Sequence, residues 1–506
     1  MAWGFSRNEK GSTSSAEKNE IHYPQNYPGA SEAVVGEPAY EQDVAQCPPH
    51  TTERKLLARI DLHVIPFLVL LYWLAFLDRV NISNANVFGM SEDLGLVKLQ
   101  YNTALVIFFV PILFEIPANV LMKKFTPHVW LAGNMVMFGF VTIMQGLVKS
   151  YAGLLATRFF LGVFEAGMFP GCFYLIGMWY KRQEAQKRFS FFFSSTTLAG
   201  GFGGLIAAGI GKMDGMRGYE GWRWLFIIEG GFTVAMASLV FFCLSDFPEE
   251  AKWLKPSEKA FVAARLRVDV GDSARHSKVS LKGIAKILSE FRVLVAGVMY
   301  FGLIVPAYSY AYFSPTIIRG FGYTPIQTQL HSVPPWAAAF AWSMITATFS
   351  DMSRHRFAFI IGGICIAISA FAILITVQNN TDVQYAALFL VAMGCYSTMP
   401  FMVCWFNMNI GGHVRRSVCS AWQVSFGNIG GIIAVFAFFP SDAPGYKTGY
   451  SICIAFTILA MIASILYGLS CIKENRNRNR SPTDLNLSEA QKADMGDLNP
   501  EYRYLL

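Results

Sequence analysis

Apolar stretches of about 20 residues, the length that crosses a bilayer core, recur along the chain with short polar breaks between them. They fall near residues 62–82, 102–122, 129–148, 152–178, 188–211 and 222–244, and again near 293–313, 331–350, 357–377, 384–406, 417–439 and 448–470. The pattern predicts an all-α membrane protein of about twelve transmembrane helices in two six-helix bundles, over 59–245 and 292–472. A charged stretch opening with DFPEEAKWLKPSEKAF lies between them and reads as a linker over 246–291. The flanks, 1–58 and 473–506, hold no span-length apolar run and are expected to be disordered tails.

Composition and charge sharpen this reading. The chain is 53% hydrophobic, 15% charged and holds 43 Phe, which excludes an ordinary soluble protein. Its net charge of +7 comes from short basic clusters between apolar runs, so it points to membrane orientation and not to a nucleic-acid partner. If every segment spans, Lys123, Lys124, Lys181, Arg182, Lys187, Arg188, Arg354, Arg356, Arg415 and Arg416 all share the linker's side. The positive-inside rule then makes that side, and both termini, cytosolic. Asn379 begins a glycosylation sequon in a loop on the other side and is expected to be modified; the sequons at Asn81, Asn479 and Asn486 are not. The nine cysteines show no metal-ligand spacing and read as small core residues. No P-loop, GxSxG or HExxH occurs, so no enzyme, metal or cofactor is expected, and active transport would draw on an ion gradient.

Charges inside apolar runs are costly and persist mostly where they face a cavity or each other. Arg158 and Glu165, in RFFLGVFEAGMFPG, are two helical turns apart on one face. At that separation each needs a partner from another helix, and Asp78 and Arg79 in FLDRVN, or Glu115 in FEIPAN, are the candidates. An inward Glu can exchange protons while an inward Arg holds a carboxylate, which together suggest proton-coupled movement of an organic anion. The bland alternatives are helix packing for Arg158 and interfacial ion pairing for Asp78, Arg79 and Glu115. The second half offers Trp405, Asn407 and Asn409, then Trp422, Gln423 and Asn428, as amide and indole ligands, or equally as interhelical contacts. Tyr308, Tyr310 and Tyr312, between Pro306 and Pro315, either line a cavity or pack.

The stretches LDRVNISNANVFGMSEDLGL, RFFLGVFEAGMFPG, WRWLFIIEG, SPTIIRGFGYTPIQTQLHSVPPW and GNIGGIIA resemble the major facilitator superfamily, and within it the fungal anion:cation symporters such as allantoate, nicotinate and pantothenate permeases. The resemblance covers about Arg59 to Lys473. It implies proton coupling by Glu165, Asp78 and Arg158 and substrate binding by Arg79; Tyr308, Trp405, Asn409, Gln423 and Asn428 are further substrate candidates from the residues alone. It also implies a monomer in the plasma membrane that imports a small organic anion with protons. ANVLMKKFTPHVW lacks the acidic residue and glycines of the general superfamily loop signature, so gating there would rest on lysines. Export of an acidic secondary metabolite, or a nutrient sensor that does not transport, are the rival expectations.

Overall fold

The computed structural model describes residues 47–97, 99–112, 125–270, 281–353, 355–411, 413–439, 442–443, 445–480, 497, 499 and 502–505, and among these every regular element is helical. The first bundle comprises α1 (Glu53–Val87), α2 (Gln100–Ile112), α3 (Pro127–Gly146), α4 (Tyr151–Trp179), α5 (Arg182–Ile210) and α6 (Gly221–Cys243). The linker forms α7 (Pro256–Val270) and α8 (Leu281–Leu288). The second bundle comprises α9 (Phe291–Arg319), α10 (Pro325–Ser353), α11 (Arg356–Thr376), α12 (Thr381–Met408), α13 (His413–Ala437) and α14 (Lys447–Arg480).

Ten of these helices are long and apolar enough to cross a membrane. The other two of the expected twelve are α2, described only to Ile112, and α10, whose 29 residues are diluted by Gln327, Gln329, His331 and Pro334–Pro335. Within the first bundle α3 and α6 touch at Gly139 and Gly230, where an added Cβ on either would approach the other's carbonyl oxygen to 2.8–3.0 Å. Such small residues let helix backbones meet where lipid supplies no hydrophobic driving force between them.

Alternating spans place the start of α1, the end of α14 and the linker at one end, the proximal end. At the opposite, distal end the two bundles are joined. Asn102 donates to the Val435 carbonyl at 2.6 Å, and Arg319 donates to the Val87 carbonyl at 2.8 Å. Gly200 of α5 lies so close beneath the Trp336 ring of α10 that a Cβ there would overlap it. The linker is held in two parts. Glu258 of α7 receives Arg59 at 3.1 Å and His50 at 3.3 Å, while Arg265 reaches Glu53 and Glu184 at 3.2 Å, all in or beside the first bundle. Burial alone would push the Glu258 carboxyl up, but the Lys255 N–H, Arg59 and His50 together draw it below its ordinary range. Glu290, at the other end of the linker, pairs with Arg415 of the second bundle.

Two sequence boundaries need correction. The first bundle, expected from residue 59, has its first helix begin at Glu53, capped by Thr52, whose hydroxyl accepts the Lys55 N–H at 3.4 Å. The C-terminal tail is not wholly disordered: α14 runs on to Arg480, and residues 497, 499 and 502–505 pack against the proximal end of the second bundle. Arg478 donates to the carbonyls of Asp497, Asn499 and Tyr502 at 2.9–3.0 Å. Tyr504 is buried beneath the guanidinium groups of Arg292 and Arg478, at 4.3 and 5.0 Å, and Asp497 meets Arg415 at 3.1 Å and the Gly411 N–H at 3.0 Å. The tail's polar composition hid this because the docking rests on paired charges and two tyrosines, not on apolar content. Arg478→Ala removes charge-assisted hydrogen bonds of about 1.5–3 kcal/mol each. It is expected to speed tryptic cleavage after Arg503 by about tenfold or more, measured by timed digestion and mass spectrometry.

Candidate functional site

Asp78 and Arg79 are successive residues on α1, so they point about 100° apart and serve different neighbours. Arg79 turns toward α4 and α9. One guanidinium nitrogen forms an ion pair with Glu165, and another donates to the hydroxyl of Tyr308. The rings of Phe76, Phe108 and Tyr308 surround it, with centroids 5.4–5.8 Å from the guanidinium carbon. Both members of the ion pair are buried, and the contact to Tyr308 crosses from the first bundle to the second. Glu165 sits where the helical run of α4 is interrupted at Ala166–Gly167, next to Trp130, whose indole donates to the Gly167 carbonyl at 3.2 Å.

Arg158 lies two turns earlier on α4, and its guanidinium donates to the Arg79 carbonyl at 3.3 Å. Its Nε and Nη2 have no hydrogen-bond partner among the described residues, though it is only 1% exposed. Glu165 and Arg158 therefore do not pair with each other; both engage α1. Asp78 turns toward α6, where its Oδ2 accepts from Thr233 at 2.9 Å while Oδ1 is unpartnered. Its charge also interacts with Arg158.

The sequence reading passed over one acid. Glu229 of α6 is 3% exposed and neither of its oxygens meets a donor among the described residues. Its signal was a lone acid in the apolar run of WRWLFIIEG, the same signal that singled out Glu165. The Trp222–Arg223 part of that stretch does something else. It anchors the distal loop, donating to Asp93 at 3.1 and 2.7 Å, with Arg223 also reaching the Val148 carbonyl at 2.6 Å.

The second-half candidates separate. Tyr308 stacks on Tyr312 one turn away, 5.9 Å between centroids, and Phe109 of α2 packs on Tyr308 at 5.3 Å. Tyr310 faces its own bundle, beside Trp336 and Tyr396. Asn428 is buried on α13 and lies three residues before Gly431, where a Cβ would meet Phe109, so it shares the seam-facing side. Gln423 donates to the Ala296 carbonyl at 3.4 Å, inside its own bundle. Trp405 and Asn409 are not brought to Arg79. They hold the chain's end, donating to the Leu505 carbonyl at 2.8 and 3.0 Å, and Asn409 accepts the Leu505 N–H at 2.7 Å. Asn407 and Trp422 are spent on the Val403 and Val293 carbonyls at 2.8 and 3.1 Å. Asn379 is exposed in a distal loop, whereas Asn81 is buried and Asn479 lies on α14. Glu115, Lys123, Lys124, Arg354 and Asn486 lie outside the described residues.

A family model described as the Major Facilitator Superfamily matches residues 68–435. An MFS-type transporter of Penicillium expansum, cnsO, is 31% identical over 90% of this chain and 91% of its own. An uncharacterized transporter of Schizosaccharomyces pombe is 34% identical over 89% and 90%. The high-affinity nicotinic acid transporter of Saccharomyces cerevisiae is 28% identical over 94% and 89%. Among solved structures, a bacterial homologue of the human lysosomal transporter Spinster matches with a TM-score of 0.59 at 14% identity, over 80% of this chain and 95% of that one.

Breaking a buried ion pair by removing one partner costs about 3–5 kcal/mol, whereas replacing both by apolar groups is often neutral. Glu165→Leu alone is therefore expected to lower stability by about that amount, and Arg79→Met with Glu165→Leu to recover most of it, measured by thermal unfolding of the purified protein.

Proposed function

The chain belongs to the Major Facilitator Superfamily, and from that membership we propose that it is a proton-coupled importer of a small organic anion. The observation that carries the reading is Arg79, a permanent cation at the seam between the bundles, matched by the single carboxylate of Glu165 and touching Tyr308 across the seam.

The chemistry follows from charge. A guanidinium stays ionised in any accessible pH range, so it must be matched by an anion whenever it is out of water. A substrate carboxylate arriving at Arg79 competes with Glu165 for it. Once displaced, Glu165 would be a bare buried carboxylate, which is costly unless it takes up a proton. One anion in and one proton onto Glu165 leaves the site's charge unchanged, and this equivalence couples the two. Arg158, anchored on the α1 backbone beside Asp78, sets the local field, and Tyr308 and Asn428 supply uncharged ligands from the second bundle. In the conformation described, contacts at the distal end join the bundles, so exchange would be with the proximal side.

The substrate class we favour is a vitamin-like carboxylate such as nicotinate or pantothenate, or a ureide such as allantoate. The relative named as a nicotinic acid transporter supports this choice. The protein would act in the fungal plasma membrane as a monomer, with both termini and the linker cytosolic, as the basic clusters on that side support. No cofactor is needed, because the proton gradient supplies the energy.

The test is uptake of labelled nicotinate, pantothenate and allantoate into transporter-deficient yeast at about pH 5 and about pH 7, where one coupled proton supports about tenfold accumulation per unit of gradient. Accumulation at the lower pH that collapses with a protonophore is expected for one of them. Glu165→Gln is expected to abolish accumulation while preserving substrate exchange. Faster expulsion from preloaded cells with no uptake would make the protein an exporter instead.

A further inference from the structure

We propose that Asp78 and Glu229 form a second proton-holding site, a carboxyl pair inside the first bundle that shares one proton and is separate from the Arg79–Glu165 ion pair. For its place in the transport cycle this rests on the proton-coupled reading above; its test does not.

The geometry comes from one helix face. Glu229 and Thr233 are one turn apart on α6, and Thr233 donates to Asp78 Oδ2 at 2.9 Å, so the Glu229 side chain is delivered to the same pocket. Burial, and after it the charge of Asp78, act on the Glu229 carboxyl. Asp78 and Glu229 are 1% and 3% exposed, and three of their four oxygens have no partner among the described residues. Two bare carboxylates side by side in a dry interior repel strongly. A single proton between them removes the repulsion and gives one oxygen an O–H to donate to the other residue.

The buried charges of the first bundle support the count. From α1 come Asp78 and Arg79, from α4 Arg158 and Glu165, and from α6 Glu229. Around Arg158, α2 and α9 contribute Tyr101 and Tyr312, both uncharged. Arg223, further along α6, is already engaged by Asp93. Among the described residues Arg79 is matched by Glu165, which leaves Arg158 against two acids. With one proton on the pair, that remainder is neutral. The proton would come from water on the proximal side, forming one carboxyl O–H bond and leaving hydroxide to the bulk.

The experiment is infrared spectroscopy of the purified full-length protein in lipid nanodiscs at about pH 7, reading the C=O stretch of protonated carboxyl groups and its shift in heavy water. A protonated-carboxyl band is expected in the wild type, lost in Glu229→Gln and lost equally in Asp78→Asn, where the remaining acid faces Arg158 alone and ionises. No band in the wild type overturns the proposal without any variant. A band that survives Asp78→Asn also overturns it, because Glu229 would then hold its proton unaided. If the bands behave as expected yet no anion is taken up with protons, the importer reading fails and the carboxyl pair stands.

Discussion

A guanidinium that cannot lose its charge is fixed in the apolar interior at Arg79, and much of the arrangement around it answers that constraint. Glu165 supplies the opposite charge, Tyr308 an acceptor oxygen, and the faces of Phe76, Phe108 and Tyr308 a ring of negative π density. Three helices from two bundles are thereby tied to one side chain. Any ligand that draws Arg79 away from Glu165 must bring its own negative charge. Under the proposed function, selection for anions follows from this constraint and needs no separate filter.

The contacts differ in permanence. Inside the first bundle, α3 and α6 meet through glycine backbones at van der Waals distance, an arrangement that any opening would forfeit along its whole length. Between the bundles the distal joints are two side chains donating to carbonyls at helix ends, together with Gly200 and Gly204 of α5 against α10 and ring contacts such as Phe109 on Tyr308. Each such hydrogen bond is worth about 0.5–1.5 kcal/mol net, small enough to break and remake. The linker adds to the contrast, because α7 is clamped to the first bundle while Glu290 is clamped to the second. Two bodies that move against each other across a reversible seam follow from these energies.

Hydropathy alone makes the all-helical fold and the ten apolar spans among the described residues legible, because lipid forces each segment to satisfy its own backbone and to be largely apolar. The same logic exposed Asp78, Arg79, Arg158 and Glu165, since a charge in an apolar run stands out. What it could not show was pairing. Trp405 and Asn409 looked like ligands, and only the folded chain shows them holding Leu505, about a hundred residues away in sequence. Polar residues at a helix end are ambiguous in this way because the site and the terminus offer the same hydrogen bonds. Tyr310 and Tyr312 alternate in sequence, but a helix sends them to opposite sides, so Tyr312 joins Tyr308 and Tyr310 does not. Glu229 was as legible as Glu165 by the charge criterion and was passed over because its stretch was valued as a motif.

The distribution of charge between the bundles has its own consequence. Arg79, Arg158, Asp78, Glu165 and Glu229 all belong to the first bundle, while Tyr308, Tyr312 and Asn428 on the second are neutral. When the seam opens, no ion pair among the described residues has to be pulled apart; there, hydrogen bonds and ring contacts are exchanged for water or substrate. Separating opposite charges across the seam would cost several kcal/mol at the effective dielectric of a protein interior, enough to slow the movement between conformations severely. Keeping the ionic chemistry on one body and the neutral recognition on the other lets a substrate's charge be matched without making that match a barrier to motion.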